Sequence, residues 1–231
     1  MLAGVGVVQA DVVFTDGTFN TANYSISSYQ PGGGTINVSQ ISTGGDPGSA
    51  LDIATTIPSP LGNNFNSRTY VVNNTFLYNP STEGNLRSVG VSVDINRLIT
   101  GVTPSLVGFS PVIFQDGNYY AYYTIATSYA PGVYQNASAT LTDNQFSLIT
   151  NLASGAVDAT LHPNFDGDPM TFGFSASLVS SGVSNTITGD FRYDNLTFDL
   201  GTTTPEPRDG ALLGLGLVAV GVSLRRKGRS A

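Results

Sequence analysis

The sequence predicts an all-β chain, an antiparallel sandwich followed by one apolar C-terminal helix. Three observations carry this. Segments that alternate apolar and polar residues recur along the chain, as strands with one buried face require. Gly, Pro, Asn and Asp cluster between them as turn punctuation. Near the C-terminus the composition changes abruptly, from a polar body to a fifteen-residue uncharged run ending in basic residues.

Taken in order, residues 1–10 are small and apolar and end in Val8-Gln9-Ala10, a small-x-small pattern just before Asp11. They read as the remnant of a secretory signal peptide whose basic front lies upstream of Met1; the plainer alternative is a buried first strand. Residues 11–200 are assigned to the sandwich domain. Tyr70–Tyr78 is rich in aromatic and β-branched residues. In Ser88–Ile95, Val89, Val91, Val93 and Ile95 share one face. Tyr119–Ile125 is an aromatic strand and Ala137–Leu141 a short one. Met170–Leu178 sets Met170, Phe172, Phe174, Ala176 and Leu178 against polar neighbours, and Gly189–Leu200 closes the body. Asp16-Gly17 and Asp116-Gly117 are steps that tolerate the positive φ of tight turns. Gln145–Leu152, with Asp143 as its cap, is the segment best suited to a short helix.

Composition excludes several function classes. With no Cys, the chain has no disulfide framework, thiolate metal site or cysteine nucleophile. With one histidine, His162, it has no site built on two imidazoles. A net charge of −7 argues against nucleic acid, which requires clustered Lys and Arg. Between Asp11 and Thr204 stand fourteen acids, four arginines and no lysine. A body so poor in charge is kept soluble by Ser, Thr, Asn and Gly, a composition that suits an exported β-rich protein.

Residues 201–209 form a linker in which Pro205-Glu206-Pro207 holds the chain extended. Gly210–Leu224 follows without a charge. As a helix it spans about 22 Å against a hydrocarbon core of roughly 30 Å. The flanks decide for a membrane helix: the run has no polar stripe, and the basic residues Arg225, Arg226, Lys227 and Arg229 in the 225–231 tail match a cytoplasmic stop that can snorkel.

Pro205-Glu206-Pro207, the apolar Gly/Leu/Ala/Val run and the terminal basic cluster together resemble the PEP-CTERM sorting signal, also called the ice-binding protein C-terminal domain. The resemblance covers residues 205–231. It implies export through the inner membrane of a Gram-negative bacterium, transient anchoring, cleavage near the motif by an exosortase, and delivery to the cell surface or the extracellular exopolysaccharide. Arg208-Asp209 departs from the small uncharged residues usual after the motif. The body resembles jelly-roll carbohydrate-binding and lectin-like modules in Phe14-Thr15-Asp16-Gly17 at its start and Asp194-Asn195-Leu196-Thr197-Phe198 at its end. That resemblance implies a shared structural calcium, with Asp16 and Asp194 as ligands.

Read from the residues themselves, catalysis is poorly supplied. His162 is the only base available to a Ser–His–Asp arrangement and reads as a bland loop residue. Asn164, Asp166 and Asp168 lie in a Gly-bent loop whose oxygens suit a hard cation such as calcium, against the alternative of a solvated acidic turn. In Tyr119-Tyr120-Ala121-Tyr122-Tyr123 one face must be core. Tyr120 and Tyr122 are assigned to the other, where tyrosine rings could stack on sugar, against the alternative of edge packing under a loop. The expected function is a non-enzymatic surface or matrix protein sorted by its tail, associated with exopolysaccharide and able to bind glycan. The alternative is a secreted hydrolase of polysaccharide with an Asp-based site.

Overall fold

A computed structural model describes residues 11–30, 33–58, 65–100, 106–123, 125, 131–180 and 186–202. The readings made on residues 1–10 and 203–231, the sorting motif, membrane helix and basic stop included, lie outside these.

The described residues form thirteen strands: β1 (Val12–Asp16), β2 (Tyr24–Tyr29), β3 (Thr35–Gly45), β4 (Gly48–Ile57), β5 (Phe65–Tyr78), β6 (Leu86–Thr100), β7 (Leu106–Gln115), β8 (Asn118–Ala121), β9 (Gln135–Leu141), β10 (Ser147–Asn151), β11 (Ala156–Asp158), β12 (Met170–Ser180) and β13 (Ile187–Thr202). One helical turn, α1 (Pro80–Glu83), sits between β5 and β6, capped by the Asn79 side chain accepting from Ser81 N–H. The strands make two sheets. The first has the order β3-β4-β13-β6-β9, with β1 pairing the second half of β13; the second has the order β11-β10-β8-β7-β12-β5-β2. Every ladder between these strands is antiparallel.

The sheets pack face to face because each strand turns one apolar row inward. Val89, Val91, Val93 and Ile95 on β6 are all buried, as are Met170, Phe172, Phe174, Ala176 and Leu178 on β12. Ring pairs stitch the sheets together: Phe174 lies 4.7 Å from Tyr193, and Phe172 lies 5.4 Å from Phe198, centroid to centroid. Such offset aromatic pairs add about 0.5–1.5 kcal/mol each beyond the area they bury. No helix among the described residues is long and apolar enough to cross a membrane.

Three sequence expectations change here. The helix placed at Gln145–Leu152 is a strand. Its start is a 3-10 turn, Asp143–Gln145, whose boxed cap comes from Thr142 and Gln145 and not from Asp143. β10 then pairs with β8 and β11. Eight residues give barely two helical turns, whereas an extended β10 pairs on both edges and turns Ile149 into the outer apolar cluster. The aromatic strand ends at Ala121, four residues before Ile125, although Ile125 N–H still bonds the Phe109 carbonyl. β13 runs on to Thr202, into the first two residues assigned to the linker.

The two Asp-Gly steps diverge. Asp116 (φ +52°) and Gly117 (φ +77°) make the two-residue hairpin between β7 and β8, with both central residues left-handed as a type I′ turn demands. Asp16-Gly17 makes no hairpin. There the Asp16 carboxylate folds the chain by accepting from the N–H groups of Thr18 and Phe19, at 2.7 and 2.8 Å.

Candidate functional site

Of the four acids proposed as metal ligands, Asp16 and Asp194 lie near one end of the β1–β13 ladder, where a Cβ on Gly17 would stand 3.8 Å from Asp194 Oδ1, and Asp166 and Asp168 lie apart from them in sequence. Asp16 Oδ1 accepts from Thr18 N–H, the Thr18 hydroxyl and Phe19 N–H; its Oδ2 accepts from the Tyr24 hydroxyl at 2.7 Å and Asn73 Nδ2 at 3.5 Å. Burial alone would raise its pKa, but the bonds from Phe19, Tyr24 and Thr18 outweigh burial and hold it below the usual carboxylate range. These donors make Asp16 a structural hub that ties the turn after β1 to β2 through Tyr24 and to β5 through Asn73. Asp194 is fully buried on β13. It accepts from the backbone N–H groups of Asp46 and Asn195, and the side-chain amide of Asn195 in turn donates to the Asp46 carbonyl and Asp94. Burial pushes the Asp194 pKa up. Asp166 and Asp168 are exposed in the loop before β12, far along the chain from both; the Asp168 carbonyl accepts from Gln115, and Asp166 N–H donates to Asn164 Oδ1. No three acidic or imidazole side chains converge for a metal among the described residues. His162 Nδ1 donates to the Phe146 carbonyl at 2.6 Å, a structural contact.

Tyr120 and Tyr122 take the face opposite to the one assigned to them. Both are half-buried against the inter-sheet core. The hairpin register explains this: Tyr120 pairs with Ile113 on β7 and Leu148 on β10, both of them inward rows. Tyr119 therefore points outward and joins a second apolar cluster, on the outer face of the seven-stranded sheet. Buried Tyr70, Val72 and Val112 form its base, and Tyr29, Phe114, Tyr119, Ala121, Ile149 and Leu152 pack around them.

Four rings run across this face in contact. Tyr29 meets Tyr70 edge-on at 6.2 Å, Tyr70 meets Tyr119 at 5.6 Å, and Phe114 meets Tyr119 at 4.9 Å. Tyr70, 1% exposed, is the pillar; Tyr29, Phe114 and Tyr119 keep part of their surface in water. Between the pillar and Phe114 lies β12, whose residues on this side are small: Thr171 opposite Phe114, then Gly173 and Ser175. A Cβ on Gly173 would stand 2.1 Å from the Val71 carbonyl, so the rings lean across bare backbone. The turn after β10 reaches back over the face: the Tyr70 hydroxyl donates to the Leu152 carbonyl at 3.1 Å, and Gly155 lies against the Arg68 guanidinium. Among the described residues Arg68 is the cation bordering the ledge, and its Nε is buried without a hydrogen-bond partner.

The outer face of the six-stranded sheet is polar. Asp52 on β4 and Asp190 on β13 flank Arg192, whose Nε lies 3.6 Å from Asp52 and whose Nη2 lies 3.9 Å from Asp190. Burial first, and then the neighbouring Asp190 carboxyl, push Asp52 up to about 7, with Arg192 pulling the other way. Tyr134 is pushed up to about 12 by burial and by the Asp194 charge. Sequence reasoning missed this patch because β4 and β13 are adjacent in space but some 140 residues apart in the chain. Tyr119 with Phe114 could have been found: a two-residue turn at Asp116-Gly117 fixes them opposite each other.

No protein-family profile matches the chain, and no curated protein matches it. Solved structures do. A xylan-binding domain of carbohydrate-binding family CBM22 aligns over 83% of this chain and 96% of its own, at 12% identity and a TM-score of 0.40. The CBM22-1 xylan-binding domain of Paenibacillus barcinonensis Xyn10C aligns over 85% and 99%, at 11% identity and a TM-score of 0.39. The CBM22-1–GH10 modules of Clostridium thermocellum xylanase 10B, complexed with xylohexaose, align over 77% of this chain at 12% identity and a TM-score of 0.40; the chain spans only 26% of that protein.

Proposed function

We propose that the chain is an exported, non-catalytic surface or matrix protein that holds polysaccharide on the outer face of its seven-stranded sheet. The observation that carries this reading is the ledge of Tyr29, Phe114 and Tyr119 braced by Tyr70. Partly exposed aromatic rings on a rigid sheet stack on the apolar faces of sugars, and phenol hydroxyls bond their hydroxyl groups. The tail at 205–231 would supply delivery, through an exosortase-type enzyme and the membrane, to the cell surface. Affinity electrophoresis in gels containing neutral polysaccharides tests the ledge. The wild type is expected to be retarded, and Tyr119→Ala to migrate as in a sugar-free gel; equal retardation of both would remove the ledge from binding. The sorting reading has its own test: Glu206→Ala is expected to leave an unprocessed, membrane-bound precursor, and normal maturation of that variant would refute it. The calcium that the resemblance implies is proposed where Gly17, next to Asp16, lies against Asp194 and Asn195; a melting temperature that neither calcium nor a chelator moves would remove it.

One observation favours a second reading, a hydrolase. Asp52 and Asp190 are adjacent carboxyls of which one titrates near neutrality, as an acid–base pair needs. Against it, Arg192 clamps both, and one carboxyl oxygen of each is buried. Reducing-sugar release from polysaccharide that disappears in Asp52→Asn would establish this reading in place of the first.

A further inference from the structure

The polar face of the six-stranded sheet holds a trough of about 330 Å³, lined by Gly90, Ser92, Ser138, Thr140, Thr197 and Asp199 among others. That volume lies within the range of small-ligand sites. The strand register builds it. Thr15, Thr197, Ser92 and Ser138 are cross-strand partners on β1, β13, β6 and β9, so four hydroxyl side chains stand in one row across four strands. The next row is Val13, Asp199, Gly90 and Thr140. Gly90 is its gap: a Cβ there would press on the Asp199 backbone oxygen at 3.2 Å and fill the floor. Asn136 Nδ2 donates to Ser92 Oγ and Asp94 Oδ1, both at 2.9 Å, which turns the Ser92 proton away from Asn136.

The lining selects a ligand by chemistry. Its one charge is a carboxylate and it contains no cation, which disfavours phosphates and uronates. Its short hydroxyls bury no large apolar group. A neutral, polyhydroxylated chain matches it, since each hydroxyl can donate and accept and Asp199 can accept from two neighbouring hydroxyls of a sugar. The trough and the aromatic ledge lie on opposite outer faces of the sandwich, with both sheets and the core between them, so one saccharide segment cannot occupy both.

Resting on the glycan reading above, we propose that the trough is a second saccharide site and that the protein bridges two polysaccharide chains. The test uses the full-length chain with a neutral hexasaccharide in calorimetry and the parent polymer in light scattering. The wild type is expected to take two hexasaccharides and to cross-link polymer. Ser138→Val with Asp199→Asn should reduce the stoichiometry to one, weaken that site at least tenfold and abolish cross-linking, while retardation through Tyr119 persists. Both positions are exposed, so folding is not at stake, and a circular dichroism melt verifies it. One bound hexasaccharide in the wild type, lost in Tyr119→Ala and unchanged in the double variant, overturns the bridging proposal and leaves the ledge standing. No binding at all by the wild type overturns both, through the glycan reading itself.

Discussion

The two outer faces of this sandwich are built from the same strand geometry and come out opposite in character. On the seven-stranded sheet, Tyr29, Tyr70, Phe114 and Tyr119 form a contiguous aromatic layer partly roofed by the Leu152–Gly155 turn. On the six-stranded sheet, the corresponding rows carry Ser, Thr, Asp and Asn, closed at one end by Arg192 among carboxylates and open at the other as a trough. The difference shows how a β-sandwich divides its work. One face is nearly a second core, stable through buried area. The other draws its stability from the strands beneath it, so its side chains are as free for recognition as the outermost rings of the first.

The largest expected effect breaks the aromatic face. Tyr70→Ala removes a buried ring that touches Tyr29 and Tyr119, and should lower unfolding stability by about 3–5 kcal/mol in urea. Tyr70→Phe keeps the ring, loses only the bond to the Leu152 carbonyl, and should cost about 1 kcal/mol. Ser92→Ala on the polar face should change stability by less than about 0.5 kcal/mol. If Tyr70→Ala were as mild as Ser92→Ala, the aromatic layer would be a surface decoration and not a core.

Next comes the pH dependence of the polar face. The folded pKa of Asp52, about 7, lies above that of an unfolded aspartate because burial and Asp190 favour its protonated form. The folded state therefore binds more protons than the unfolded state between roughly pH 4 and 7. This contribution is complete below pH 4 and is lost as pH rises to about 7. Asp16 runs the other way: its lowered pKa contributes stability above the unfolded value that is lost on acidification. Asp52→Asn should flatten the fall in melting temperature between pH 4 and 7 and be the more stable protein at pH 8. Identical pH profiles for the two proteins would place Asp52 in water instead of under Arg192.

What was legible in the sequence follows from how far apart partners lie. Alternation over eight or nine residues reported the inward faces of β6 and β12 faithfully, because burial acts on each strand locally. The same periodicity could not say which face of Tyr119–Tyr123 was inward, since both carry tyrosine; only the hairpin register, with Tyr120 against Ile113, decides it. β10 was misread for a related reason. Leu148 and Ile149 are apolar on successive positions, and so short a strand, half-buried at both, has no period to distinguish it from a helix. The acid patch and the hydroxyl row depend on β13 lying beside β4, β6 and β1, pairings that no local pattern encodes.

The smallest effect expected is the most specific to the roof. Asn151 Oδ1 accepts from Ala153 and Ser154 N–H at 3.0 Å each and so shapes the turn. Asn151→Ala should cost about 1 kcal/mol at most, in line with the loss of a local side-chain cap. Its signature should be local: amide exchange accelerates across 152–155 while the strands under Tyr70 keep their protection. The roof also limits access to the rings it partly covers. A looser turn should therefore speed glycan association with the ledge and leave the trough on the far face unaffected, whereas a variant that slowed association would make the turn part of the binding surface.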